Sequence, residues 1–330
     1  MIRLGLVAAG RITEPAAVNP ARLIDGVEIT VIGARDIHRA EEAAGRWSIP
    51  QAVGSWEEVW SHPEVDAVYI ATPAGYHLTC ALAALEAGRH VLCEKPLAAN
   101  AGEARRMVDA AVGAGRVLME AFHWRYHPIV DQMRAIVDSG RLGDIVHADA
   151  HFDLPEGRIA RTDIRWDPMI GGGSLMDLGC YPVQWLRWLF GDAPTVVHAR
   201  ATTPVAGIDA RMEANLAWPT GATARLSSSM IEPNGRTEIS LNVVGSQATM
   251  RAHNPLAPQF GAHIEITGPD GSEHIEVENS ATYTHQMAAF VTAVETGHAP
   301  ITSGADSIDT METIDAIYLA AGMEPRTSPM

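Results

Sequence analysis

Two short stretches of the 330-residue chain hold side chains able to do chemistry. The first is His90-Val91-Leu92-Cys93-Glu94-Lys95-Pro96, an apolar run that ends in a carboxylate, an ammonium and a proline. Burying an unpaired lysine is costly, so Lys95 must be paired, exposed in a cleft, or used. Pro96 drives Lys95 out of the helical region. The side chain should then project from the strand end, with Glu94 beside it to hold it or keep it charged. The plain alternative is a surface ion pair, worth little. The second stretch is Gly171-Gly172-Gly173-Ser174-Leu175-Met176-Asp177-Leu178-Gly179-Cys180-Tyr181-Pro182. Asp177 and Tyr181 are four apart and share one helix face. A phenol so placed can pass a proton, and the glycines would let that face come close to a ligand. The plain alternatives are a capping box from Ser174 to Asp177 and a buried tyrosine that only satisfies its hydroxyl. Pro182 predicts a kink or a late helix start. Cys180 reads as a small core residue rather than a nucleophile.

Three further stretches could bind a ligand. In Gly5-Leu6-Val7-Ala8-Ala9-Gly10-Arg11-Ile12-Thr13, the slots of a dinucleotide fingerprint read Ala8, Gly10 and Thr13, and only Gly10 is intact. Ala8 to Ile12 would cradle the phosphates at the start of a helix. At the end of the next strand, Ala34-Arg35 stands where an NAD site usually puts a carboxylate. Arg35, with Arg39, could grip a 2′-phosphate and stack on adenine; the alternative is a solvated arginine at a helix start. Thr72, Pro73 and His77 follow the third apolar run and could line ribose and nicotinamide, or His77 could serve only local hydrogen bonds.

These candidates sit at the ends of elements that a simple pattern predicts. Apolar runs at 2–8, 27–34, 67–71, 90–93 and 117–121 alternate with helical patterns at 37–45, 76–88 and 101–115. Runs apolar on both faces suit parallel strands covered by helices, hence a doubly wound sheet that binds ligands at the carboxyl ends of its strands. Pro15 and Pro20 should break the first helix. From about residue 122 the pattern changes to a helix at 128–139 and alternating strands at 145–152, 196–202, 212–218, 222–229, 238–244 and 264–267. A helix at 175–190 is inserted, and two more at 283–295 and 306–321 close the chain. This is an α/β protein with a second, α+β domain built on a large, mainly antiparallel open sheet. The expected domains are 1–122 and 123–330.

Composition narrows the function. A net charge of −16 excludes nucleic acid and an anionic membrane surface as partners. Cys80, Cys93 and Cys180 have neither metal spacing nor a disulfide framework, so no metal is expected and the thiols read as reduced and cytoplasmic. Met1 leads directly into a strand and no apolar run is long enough to span a bilayer, so neither a signal peptide nor a membrane segment is expected.

Taken in order, Gly5–Ile12, Ala71–His77, His90–Ala98, Glu120–Pro128 and Gly171–Tyr181 resemble the Gfo/Idh/MocA oxidoreductases, and the resemblance extends to the closing 301–322. It implies an N-terminal Rossmann domain, a C-terminal sheet domain and a cis Lys95–Pro96 bond. It implies that Lys95, Asp177 and Tyr181 are the catalytic residues. Tyr181 in place of the histidine of inositol dehydrogenases resembles the glucose–fructose oxidoreductase, dihydrodiol dehydrogenase and NADP-xylose dehydrogenase branch. Cofactor contacts then fall to Ala8, Ala9, Gly10, Arg11, Ile12, Arg35, Thr72, Pro73, His77, Glu94 and Lys95. NADP(H) is favoured and NAD(H) allowed. Trp124, Arg125, His127 and Arg165 are substrate-contact candidates; packing and pairing are their equal alternative. A free phenol titrates near ~10, two to three units high for base work, at about 1.4 kcal/mol per unit. An ammonium about 4 Å away supplies about 4 kcal/mol at an effective dielectric near ~20. The expected substrate is a sugar, polyol or cyclic diol. A carbonyl or imine reductase and a non-catalytic sensor of dinucleotide or sugar are the rivals. An exposed apolar sheet face would call for a homo-oligomer, a dimer through the C-terminal sheet.

Overall fold

Short runs buried on both faces build the first sheet. In the computed structural model, which describes residues 1–329, six strands lie parallel: β1 (Ile2–Val7), β2 (Val27–Gly33), β3 (Gln51–Val53), β4 (Ala67–Ile70), β5 (His90–Cys93) and β6 (Leu118–Glu120). Their spatial order is β3-β2-β1-β4-β5-β6. All four residues of β4 are fully buried, as a central parallel strand requires. The order reverses between β1 and β4, and the carboxyl ends beside that point are the ligand-binding edge of such sheets. Helices Ile37–Trp47, His77–Glu86 and Ala101–Ala114 connect the strands. The prolines break the first helix as expected: Glu14–Val18 forms a widened turn and Asn19–Ala21 a single further turn. The pattern did not signal β3 or the short helix Trp56–Ser61. Ser55 caps that helix, its Oγ accepting from the Glu58 amide at 3.2 Å and donating to the Glu58 carboxylate at 2.9 Å.

This first unit comprises Met1–Arg125, Tyr283–Ile308 and the residues from Ser328, so a later segment returns to complete it. Glu120 N–H donates to the Thr302 carbonyl at 2.9 Å, and the Thr302 hydroxyl donates to the Glu120 carbonyl at 2.7 Å. Helix Thr282–Thr296 lies so near the β1–β2 connection that a Cβ at Gly26 would meet Val291 at 3.1 Å.

The second unit, Tyr126–Thr282 with Asp309–Thr327, carries eight strands. They are β7 (Ile145–Pro155), β8 (Thr195–Thr202), β9 (Arg211–Ala217), β10 (Thr223–Glu232), β11 (Glu238–Gly245), β12 (Thr249–His253), β13 (His263–Gly268) and β14 (Gly271–Glu276), in the order β14-β13-β12-β11-β7-β10-β9-β8. Only β7 and β10 pair in parallel. β12 and β14 were not expected; β14 is a polar edge strand with little periodic signal. One face is core: Ala148, Ala150, Met212, Leu226, Leu241, Met250 and Ile264 are buried, and helix Cys180–Phe190 packs on β7 and β10.

The other face corrects an expectation. Strand register places Arg211, Glu213, Arg225, Asp149, His151, Asn242, Arg251, His253 and Glu265 there, and several are paired across strands. The open face is polar, so the premise of an exposed apolar surface fails; alternation turned the apolar residues toward the helix. Among the described residues no helix is long and apolar enough to cross a membrane.

Candidate active site

In the first unit every candidate lies at a carboxyl strand end. After β1 the chain turns through Ala8, which sits at φ +83°. This fingerprint slot thus takes the left-handed conformation a glycine would take, at a cost of order 1–3 kcal/mol. The turn is closed by the Thr13 amide on the Gly10 carbonyl at 3.1 Å and the buried Thr13 hydroxyl on the Ala8 carbonyl at 3.2 Å. A Cβ at Gly10 would meet the Ala71 carbonyl at 3.5 Å and the Thr13 hydroxyl at 3.8 Å, both ordinary contacts. The protein's own packing does not demand glycine there, whereas a phosphate against the backbone would. Ala9, Arg11 and Ile12 complete the turn.

Arg35 is exposed at the end of β2, 5.3 Å above the Trp56 ring and 5.8 Å from that of Tyr76, and the two rings meet edge to face at 5.6 Å. The neighbouring carboxylate, Asp36, caps helix Ile37–Trp47 by accepting from the His38 amide at 3.0 Å. The cation is therefore shelved on aromatic rings at the sheet edge, while the acid serves a helix. These residues fit a phosphorylated adenosine.

The Glu94-Lys95-Pro96 turn is held from several sides. The Lys95–Pro96 bond is cis, as the resemblance implied. Glu94 accepts from the buried Tyr69 hydroxyl at 2.7 Å and from the Lys95 amide at 3.3 Å. Burial, then the Glu94 charge, pushes the Tyr69 phenol well above its ordinary value. The fully buried Glu120 accepts from the Leu97 amide at 2.7 Å. His77, also buried, spans the gap between two strand ends: Nε2 lies 2.8 Å from the Thr72 carbonyl, and Nδ1 lies 3.0 and 3.3 Å from those of Pro96 and Leu97. Three carbonyls ask for a protonated ring, yet burial outweighs them and lowers its pKa. His77 thus ties the Thr72-Pro73 end of β4 to the turn that carries Lys95. Tyr69 and Glu120 were not anticipated. Their signal was faint: an acid and a phenol inside otherwise apolar strands.

Trp124 is buried with the Arg125 guanidinium 5.6 Å from its ring centroid, and Arg125 faces Asp306 at 3.7 Å. In the second unit His127 is buried; Nδ1 accepts from the Ile129 amide at 3.1 Å, which leaves Nε2 to donate to Ser280 Oγ at 3.2 Å.

The glycine turn of the second unit differs from expectation in two ways. Ser174 and Asp177 form no capping box: Ser174 makes no cap, and its hydroxyl engages Asp209 and the Ser228 carbonyl, each at 3.1 Å. The helix start is instead capped by Asp209, whose carboxylate accepts from the Leu175 amide at 2.7 Å. The glycines also yield to protein rather than to a ligand. Gly173 sits at φ +130°, and a Cβ there would lie 2.2 Å from the Asp209 carboxylate; at Gly172 it would lie 2.5 Å from the Asp167 carbonyl. Asp209 is fully buried and accepts from Arg326 at 2.6 Å and Tyr318 at 2.9 Å, while Arg326 Nε donates to the Gly172 carbonyl at 2.8 Å. Burial raises the Asp209 pKa and Arg326 opposes the rise.

Beyond this turn Leu175–Gly179 is a widened helical turn and the regular helix starts at Cys180, the late start that Pro182 predicted. Asp177 pairs with Arg165 Nε, and Arg165 also donates to Asp163 at 2.8 Å; the two carboxylates, Asp177 foremost, raise the guanidinium pKa. Tyr181 is 4% exposed, with Phe152 and Trp185 rings at 5.9 and 6.4 Å.

Comparison with known proteins now decides the family. Residues 2–122 match the model described as an oxidoreductase family with NAD-binding Rossmann fold, and residues 130–251 match the GFO/IDH/MocA C-terminal domain. The chain belongs to the GFO/IDH/MocA oxidoreductases. The chain is 37% identical to D-xylose 1-dehydrogenase (NADP(+)) 2 of Haloferax volcanii, over 92% of this chain and 93% of that one. It is also 37% identical to the trans-1,2-dihydrobenzene-1,2-diol dehydrogenase of Mus musculus, over 69% of this chain and 68% of that one. Among solved structures, the 3-ketoreductase KijD10 of Actinomadura kijaniata, in complex with NADP and TDP-benzene, superposes with a TM-score of 0.89 at 26% identity, covering 97% of each chain. This family member is an enzyme of the oxidoreductase class.

Proposed function

We propose that this enzyme is an NADP(H)-dependent oxidoreductase acting on a hydroxyl or carbonyl of a sugar, polyol or cyclic diol, with residues 1–122 binding the cofactor and 123–330 the substrate. The observation that carries the reading is the Glu94-Lys95-Pro96 turn, held at a carboxyl strand end by His77 and Glu120. The xylose and dihydrodiol dehydrogenases among its relatives, and a ketoreductase solved with NADP, support the substrate class and cofactor. That ketoreductase has also been solved with tyrosine-to-phenylalanine and lysine-to-alanine substitutions, bound to NADP and TDP-benzene.

When bound, the nicotinamide supplies hydride transfer. Ala8 to Ile12 would hold its diphosphate, Arg35 its 2′-phosphate, and Thr72, Pro73, Glu94 and Lys95 the nicotinamide half. His77 keeps Thr72 and Lys95 in register. Tyr181 takes the proton of the substrate hydroxyl on oxidation and returns it on reduction. The Lys95 ammonium lowers the cost of the phenolate. Asp177, through its pair with Arg165, fixes the turn before Tyr181; Trp124, Arg125 and His127 shape the substrate end.

Following NADPH absorbance across sugars, diols, diketones and imines tests the reading. Turnover confined to sugars or diols supports it; turnover confined to imines makes the chain an imine reductase, and binding without turnover makes it a sensor. Tyr181→Phe should lower kcat at least about tenfold, within the range of positioned proton transfer, with NADPH affinity unchanged by fluorescence titration; near-normal turnover removes Tyr181 from the chemistry. Arg35→Ala should weaken NADP(H) far more than NAD(H), whereas equal losses would mean that Arg35 does not read the phosphate.

A further inference from the structure

Three adjacent strands at one edge of the eight-stranded sheet each present a histidine on the same polar face. His253 on β12 stands directly opposite His263 on β13, and His274 on β14 stands opposite Glu265, two residues along β13. The His253 and His263 rings stack at 4.2 Å, and those of His263 and His274 at 4.7 Å. Their ring nitrogens converge on one carboxylate. Nε2 of His253 lies 3.3 Å from one oxygen of Glu265, and Nε2 of His263 lies 3.6 Å from the other. One ligand atom from each of the three residues falls within 4.8 Å of the other two.

We propose that His253, His263 and Glu265 form a binding site for a borderline divalent transition metal, of which Zn²⁺ is the representative. Zinc bonds to histidine and carboxylate of about 2.0–2.2 Å imply ligand-to-ligand edges near ~3.4 Å in a tetrahedron; each nitrogen already lies about that far from one of the two Glu265 oxygens, and the three ligand atoms need close only from within 4.8 Å of one another. Two imidazoles and one carboxylate suit zinc, nickel or copper and disfavour magnesium or calcium, which want oxygen. On binding, the ion takes the place of any ring proton between nitrogen and carboxylate, and water fills the remaining position. His274 borders the site through its stacked ring while its own Nε2 pairs with Glu276 at 3.0 Å. The ligands come from neighbouring antiparallel strands, so the ion would staple β12 to β13 at the exposed end of the sheet. The site lies wholly within the second unit and is independent of the oxidoreductase chemistry.

The test uses untagged, metal-stripped full-length protein titrated with Zn²⁺ by calorimetry. One equivalent should bind and raise the Tm. His253→Ala and His263→Ala should each weaken that binding at least about tenfold, since even outer-shell changes cost this much, and His274→Ala should weaken it less. Each variant's metal-free Tm shows that it folds. A readout on the wild type needs no variant: Zn²⁺ should protect His253 and His263 from diethyl pyrocarbonate, leaving the exposed His38 and His298 labelled as before. No stoichiometric uptake, unchanged uptake in both alanine variants, or equal labelling of all four histidines overturns the site.

Discussion

The turn that carries Lys95 and the turn that leads to Tyr181 are built on opposite plans. The Lys95 turn is held largely from within its own sheet: His77 from the helix after β4, Glu120 from the next strand, and Tyr69 through Glu94 from the strand beside it. The Tyr181 turn depends on one buried carboxylate, Asp209, and on Arg326 from near the end of the chain. Supports from several residues share the load in the first case; in the second most contacts of the glycine turn converge on the single Asp209 carboxylate. The lesson is that the two reacting groups of one proposed mechanism can differ in how readily a distant substitution displaces them.

The sharpest way to break that contrast is Asp209→Asn. It leaves the buried Arg326 without its charge partner, so we expect a loss of about 3–5 kcal/mol, the usual consequence of breaking a buried pair, read as a lower midpoint in urea. A loss under about 1 kcal/mol would place the turn's support elsewhere. Glu120→Gln is the counterpart in the first unit. It replaces the carboxylate that accepts from the Leu97 amide with a neutral amide oxygen and should cost about 1–1.5 kcal/mol, with kcat falling because the Lys95 turn loosens. Unchanged kcat would mean that His77 and the Tyr69–Glu94 pair suffice. The smallest effect belongs to the Arg3–Asp66 pair at the amino end of the sheet. Arg3 holds the Asp66 carboxyl down at about 2, below its ordinary 3.8. A depressed acid contributes stability above its unfolded pKa and loses it as pH falls, here between about 4 and 2. With both side chains 37% exposed, screening leaves about 1 kcal/mol or less. Asp66→Asn should flatten the pH dependence in that window and change nothing at pH 7 beyond this amount.

What sequence conveyed follows the same division. Parallel strands such as Ala67–Ile70 announce themselves because burial on both faces leaves an apolar run. The late start at Cys180 and the broken helix after β1 were legible because proline has fixed chemistry. Asp209 was not legible. Nothing in Ile208-Asp209-Ala210 marks an acid that pairs with a residue 117 positions away. The Ser174–Asp177 spacing misled because a local motif matched while the distant Asp209 carboxylate took the Ser174 hydroxyl and capped the Leu175 amide. The polar sheet face misled for another reason: alternation gives two faces but not which one is covered. The short helix after Ser55 could have been found from its Ser-Trp-Glu-Glu start, which carries the capping box.

The return of residues 283–308 to the first unit has a bearing on synthesis. A chain that emerges from its amino terminus ordinarily completes its first domain first. Here Glu120 waits for Thr302 and the β1–β2 connection waits for Val291, so the nucleotide-binding half is finished only after most of the other half has been made. A fragment ending at 122 would therefore emerge with an unmet amide at its last strand and a bare flank where a helix belongs, and would do better with that helix fused back on.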